Sequence, residues 1–276
     1  MKNREEEDPD TLLIEGCDLL YVTSDFFSPP WTIKHFNLSN IAALHLDQGI
    51  YDLSNTTITI HNVSLSNRME MEDYRNASHF KADRIHMTNV ELRNPSNIHL
   101  EARESDTSGF RLSGSTTFNY LKIKTHRLLM QNFSFHDMGS VTLEGETVSL
   151  IDAELQYEHG FFLVRGDSVT ISRLTKNSDR SIFRLKGKNA TMTESRLPDS
   201  RVLHFSVING FDFRNNILGF CPRDVSWRKQ VLSCHENTWA PNCTCPKDAI
   251  SQAITGQPLR IVLLLAFVML IITREE

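Results

Sequence analysis

The sequence predicts an all-β chain: a parallel β-helix of about ten coils with three short strands per coil, a disulfide-linked C-terminal cap and a C-terminal hydrophobic helix. Three observations predict it. Ile58-Thr59-Ile60-His61-Asn62-Val63-Ser64-Leu65 alternates apolar residues on each side of a two-residue interruption, and Ile85 to Leu92 repeats the arrangement. The pattern recurs at a nearly fixed interval, and the residue before its second half is usually Asn, Asp or Gly. Alternation of period 2 marks a short strand with one buried face, and the interruption marks a sharp corner.

The first apolar position of each coil is read at Leu12, Phe36, Ile58, Ile85, Phe110, Leu128, Val148, Val169, Ala190 and Phe211, and the last four intervals are 20, 21, 21 and 21 residues. Fixed periods of this size belong to repeat architectures. Phe110 and Ala190 are imperfect members, because Ser115 and Ser195 stand where the second strand should begin apolar. A third strand follows, as Tyr51/Leu53, Met69/Met71, Ile98/Leu100, Leu121/Ile123, Val141/Leu143, Phe161/Leu163, Phe183/Leu185 and Leu203/Phe205. Stacking such coils at about 4.8 Å gives parallel sheets and a rod roughly 45–50 Å long.

The corner residues are Gly16, Asn40, Asn62, Asn89, Asn132, Asp152 and Asn215. Gly, Asn and Asp tolerate the left-handed backbone that a two-residue corner needs, and stacked amides can hydrogen-bond from coil to coil as a ladder. These strands and their Asn-bearing corner, from Leu12 to Leu218, resemble the right-handed parallel β-helix proteins of the pectate-lyase-like group. The resemblance is one of fold and implies no particular family.

Residues 1–11 form an acidic lead, 12–218 the β-helix, 219–248 a cysteine-rich cap, 249–260 a polar spacer and 261–273 an uncharged apolar run. Cys221, Cys234, Cys243 and Cys245 lack the paired knuckles of a structural zinc site and read as two disulfides. A Cys243–Cys245 bridge is sterically poor, which leaves 221–243 with 234–245, or 221–245 with 234–243. Cys17 occupies an inward strand position as an inert thiol. Trp227 and Trp239 supply the cap with a small core.

Asn-x-Ser/Thr sequons begin at Asn37, Asn55, Asn62, Asn76, Asn132, Asn189 and Asn242. Asn62 and Asn132 also belong to the corner ladder, so the expected glycan acceptors are Asn37, Asn55, Asn76, Asn189 and Asn242. No signal peptide opens the chain. Either this is an N-terminally incomplete version of a secreted protein or a cytosolic protein with a C-terminal anchor. The cysteines and sequons favour the first. The apolar run is short for a membrane span but suits one if Arg260 snorkels, or it is a GPI-attachment signal with Ser251 as acceptor.

A net charge of −5 gives no basic field, so nucleic acid is not an expected partner, and no cofactor or metal is expected. No histidine falls in an H-E-x-x-H spacing, and a nucleophile elbow, phosphate loop and dinucleotide fingerprint are missing. A β-helix enzyme acting on polysaccharide would show acids stacked on one strand face in consecutive coils, and the outward strand positions show none. Their one consecutive titratable run is Glu70, His99 and Lys122, for which a solvated face is the plainer explanation. The expected function is therefore a non-enzymatic, membrane-attached glycoprotein of the cell surface, binding a protein or glycan ligand. The alternatives are a polysaccharide lyase or glycoside hydrolase of the same fold, or a cytosolic tail-anchored scaffold. The sequence leaves ligand and oligomeric state open.

Overall fold

The computed structural model describes residues 10–27, 33–47, 49–66, 78–93, 97–114, 120–136, 139–156, 160–177, 181–198, 203–221, 226–228, 231–233 and 236–243. It is a parallel β-solenoid. The strands are β1 (Thr11–Glu15), β2 (Leu20–Val22), β3 (His35–Leu46), β4 (Gly49–Ser66), β5 (Ser78–Arg93), β6 (Ile98–Ser108), β7 (Arg111–Ser113) and β8 (Tyr120–His136), followed by β9 (Ser140–Gln156), β10 (Phe161–Lys176), β11 (Ile182–Thr193), β12 (Arg196–Leu197), β13 (Leu203–Arg214), β14 (Ile217–Leu218), β15 (Ser226–Arg228) and β16 (Val231–Ser233). They stack in the order β1-β3-β4-β5-β6-β8-β9-β10-β11-β13-β15, each in parallel register with the next.

Each full rung is one bent ribbon with a third, a first and a second segment, in the nomenclature of the sequence repeat. In β4 these are the stretches around Tyr51, Ile58 and Val63, whose side chains all point inward. The turn from first to second segment is the predicted corner. There φ is positive at Gly16, Asn40, Asn62, Asn89, Asn132, Asp152 and Asn215, between 49° and 70°. Arg173 and Glu194 adopt the same conformation at 56° and 53°, and Gly109 at 66°.

About eight turns are complete, rather than ten. The phase of the repeat also differs at three places, one of them β10, where Phe162 and Val164 point inward and not Phe161 and Leu163. Ser105, not Phe110, lies in register with Ile85 and Leu128, and Phe110 opens the second segment behind the Gly109 corner. Likewise the third segment of β5 is Ser78–Ala82, paired with Gly49–Leu53, whereas Met69 and Met71 lie outside the described residues. Beyond Leu218 the pairing goes on: β15 pairs with His204–Ser206, β16 with Phe211 and Asp212, and Thr238 bridges Ile217. The disulfide-bearing end thus extends the solenoid by a further rung.

Two kinds of core fill the interior. From Phe110 onward a column of rings runs through Phe135, Phe162, Phe183, Phe205 and Phe213 to Trp239, with centroids 5.6–6.1 Å apart. Burial of each such side chain contributes roughly 1.5–3 kcal/mol. The N-terminal rungs carry smaller residues and enclose an apolar cavity of about 50 Å³ among Phe36, Leu38, Ile58, Ile60, Phe80 and Met87.

Near the C-terminal end the inward corner position becomes polar. Ser195 Oγ accepts from the Leu174 amide at 3.1 Å, Asn216 Oδ1 accepts from the Ser195 amide at 2.9 Å, and Asn237 Oδ1 accepts from the Asn216 amide at 2.9 Å. These side chains take over the acceptor role from rung carbonyls, so the buried amides stay satisfied. Ser195 therefore belongs to the repeat although it breaks the apolar pattern.

The bend between third and first segments is built from small residues in register: Ala82, Ala102, Thr125, Gly145, Gly166 and Gly187. A Cβ on Gly166 would lie 2.9 Å from the Gly145 carbonyl oxygen, so glycine is required there by space.

Candidate functional site

The register sorts the outward side chains into columns. On the third segment one column reads Ile50, His79, His99, Lys122, Thr142, and its neighbour reads Asp52, Lys81, Glu101, Lys124, Glu144, Arg165, Lys186. In the second column the charge alternates from rung to rung as far as Arg165. An acid flanked by bases at about 4.8 Å neutralises its own field.

His99 and Lys122 are adjacent, as the sequence predicts, but the place assigned to Glu70 belongs to His79, and Glu70 lies outside the described residues. The His79 and His99 rings stack 4.1 Å apart at 8°. Glu101 lies beside them on the rung of His99. Its Oε2 is 3.4 Å from His79 Nε2, while its Oε1 accepts from Lys124 Nζ at 2.9 Å. Both Nε2 atoms are buried; that of His99 has no hydrogen-bond partner, and that of His79 faces Glu101 Oε2. Burial, then His79 and Lys122, push the His99 imidazole down to about 4, so it is neutral at pH 7. Lys124 and then His79 hold Glu101 below the usual carboxylate range despite its partial burial. Two imidazoles and one carboxylate, with ligand atoms within 4.8 Å of one another, are a donor set a metal ion can use.

The second feature is a cleft of about 910 Å³ along the corner and the second segments, over the rungs from Asn62 to Arg173. Its floor carries Glu91, Arg111, Ser134, Glu154 and Thr175 in register, and its rim carries Asn62, Asn89, Asn132, Asp152 and Arg173. Corner side chains bond across rungs at two places. Asn62 Nδ2 donates to Asn40 Oδ1 at 2.9 Å, and Asn40 Nδ2 donates to Glu15 Oε1 at 3.2 Å. Farther along, Arg173 donates to both oxygens of Asp152, at 2.5 and 2.8 Å, and holds that carboxyl below its ordinary range.

No family model, no curated protein and no solved structure matches the chain.

Of the other predicted positions, Cys221 and Cys243 form a disulfide with Cα atoms 5.2 Å apart, one of the two pairings left open. Cys234, Cys245, Asn76 and Ser251 lie outside the described residues, as does the apolar run 261–273. Among the described residues no helix is long and apolar enough to cross a membrane. Asn55, Asn189 and Asn242 are exposed, and Asn37 is half-buried on β3. Cys17 is half-buried and packs on the core, and Trp239 packs at a tilt against Phe213 and edge-on against Phe220. The phase slip at Phe110 hid from the sequence that Glu91 faces Arg111 across one rung, and the displacement of the β5 third segment to Met69 and Met71 hid that His79 and Glu101 join His99.

Adjacent acids occur at the bend. Glu146 and Asp167 follow in register between Gly145/Gly166 and Thr147/Ser168, both exposed. Glu146 contacts His126 at 3.0 Å and Asp167 contacts Lys188 at 2.6 Å.

Proposed function

We propose that this chain is a membrane-attached extracellular glycoprotein that uses its corner-side cleft to bind an extended protein or glycan ligand and catalyses no reaction on it. The cleft carries the proposal. Its amides, guanidinium groups and carboxylates repeat at the rung spacing of about 4.8 Å along a straight wall, which suits a polymer that presents its own polar groups at intervals. The parallel register of the rungs, with the Arg173–Asp152 bonds on the rim, holds that array in place before a ligand arrives, which lowers the ordering cost of binding.

The acids of the cleft support binding rather than hydrolysis. Glu91 and Glu154 are three rungs apart in register, roughly 14 Å, beyond the ~5–9.5 Å that separates the two carboxyl groups of glycoside hydrolases. Asp152, on the rung of Glu154, is engaged by Arg173. The Cys221–Cys243 bridge and the exposed sequons at Asn55, Asn189 and Asn242 support an oxidising, secretory route. The spacer and apolar run at 249–273 support attachment, by GPI or by a single span.

The test is expression of the full chain behind a supplied signal peptide, with surface labelling and phosphatidylinositol-specific phospholipase treatment. Surface display sensitive to N-glycosidase is expected, with release marking a GPI anchor and retention a span. Glycan and extracellular-protein arrays then probe the cleft, where Arg111→Glu should abolish any binding. Intracellular retention without glycans, or binding indifferent to Arg111→Glu, contradicts the proposal.

A further inference from the structure

We propose that His79, His99 and Glu101 form a binding site for a late first-row transition-metal dication of the zinc type. The site is distinct from the corner-side cleft and does not depend on the reading given to it. The three residues come from two neighbouring rungs of one face: His79 on β5, and His99 and Glu101 on β6 in register with His79 and Lys81. Because the rungs are locked by continuous ladder bonds on both sides, the Cα positions are fixed and only χ rotations are left to adjust.

Donor chemistry selects the ion. Two imidazole nitrogens and one carboxylate oxygen match catalytic-type zinc sites with three protein ligands and one position for water, and they are poor in the oxygens that calcium or magnesium requires. The Nε2 atoms of both histidines are buried; that of His99 has no hydrogen-bond partner in the chain, and that of His79 faces Glu101 Oε2, itself one of the three ligand groups, at 3.4 Å. The three ligand atoms lie within 4.8 Å of one another, and tetrahedral binding at about 2.0–2.1 Å draws them to roughly 3.4 Å through χ rotations that unstack the two rings and turn their planes toward a common point.

The neighbours support the assignment. Lys124 holds Glu101 Oε1 at 2.9 Å and leaves Oε2 facing His79, the orienting role that outer partners play at metal sites. Lys122 is the opposing charge beside His99, and Glu144 draws it away at 3.3 Å.

The probes are Zn²⁺, measured by competition with a chromophoric chelator on the full chain, and Co²⁺, read by its visible absorption. One ion per chain is expected, with a tetrahedral Co²⁺ band and no thiolate charge-transfer band. His79→Asn, His99→Asn and Glu101→Gln should each weaken Zn²⁺ by more than the roughly 10–100-fold that loss of an outer partner alone produces. Lys122→Ala should leave binding as tight or tighter. Glu101→Gln keeps shape and polarity, so it reports on binding even where a histidine variant perturbs its rung, and circular dichroism of each sample verifies the fold. No binding, or undiminished binding in Glu101→Gln and in the double His79→Asn/His99→Asn variant, overturns the proposal, and a thiolate band places the ion on cysteine instead.

Discussion

Asn62 donates its side-chain amide to Asn40 across one rung at 2.9 Å, and both residues hold φ within a degree of each other, 52° and 53°. Backbone conformation and side-chain bond are two demands on one residue type, since asparagine is among the few that enter the left-handed region and also offers a donor and an acceptor. Asn62→Ala therefore meets both penalties, about 1–2 kcal/mol for the backbone and about 1 kcal/mol for the bond. Asn62→Gly loses only the second. Urea titration should rank wild type, then Gly, then Ala in midpoint.

Arg173 tests the same corner in ionic form. The pair with Asp152 is exposed, so its loss barely moves stability, yet the carboxyl should return upward to its ordinary range in Arg173→Ala. A pH titration of the Asp152 side-chain carbon by NMR reads this directly. Because φ is 56° at this position, Arg173→Gly should be more stable than Arg173→Ala by about 1 kcal/mol.

At the bend, Gly166→Ala drives a methyl group to 2.9 Å from a backbone oxygen and 3.1 Å from Val169. Overpacking against a rigid ladder should cost roughly 1–3 kcal/mol, seen as a lower denaturation midpoint.

The two halves of the core should respond oppositely to volume. Val90 lines the 50 Å³ cavity, and Val90→Ile should raise stability by up to about 1 kcal/mol. Phe183→Leu in the filled ring column should lower it by about 1–3 kcal/mol. Thermal denaturation of the two variants against wild type makes the comparison.

Tyr51 is fully buried and donates to the Asp47 carbonyl at 2.7 Å. Burial, then the Asp47 charge, push its phenol up to about 12 from 10. The folded state thus keeps a proton that the unfolded state releases, so this stabilisation is complete below pH 10 and is lost as pH rises toward 12. Absorbance titration should show one tyrosine ionising late, and Tyr51→Phe should remove that phase and flatten the alkaline decline in stability.

The corner was legible because only Asn, Asp and Gly satisfy a left-handed backbone cheaply, so Asn40, Asn62, Asn89 and Asn132 kept one phase of the repeat. Arg173 and Glu194 were not, since the rung neighbours that impose positive φ on them are far away in sequence. Ser105 and Thr107 are buried at inward positions and broke the apolar alternation, which moved the apparent phase to Phe110 and concealed the Gly109 corner. The same kind of displacement, from Ser78–Ala82 to Met69 and Met71, put Glu70 beside His99 in place of His79. Columns assembled by register are sensitive to a slip in any one rung, so the architecture survived where the candidate cluster did not.

Mass spectrometry of glycopeptides and disulfides from the full chain, expressed through the secretory route, tests the corner ladder and the extracellular proposal together. Glycans are expected at Asn55 and Asn189, with a bare Asn62 and a Cys221–Cys243 bridge. A glycan fully occupying Asn62, together with free thiols at Cys221 and Cys243, would contradict both the corner ladder and the extracellular assignment.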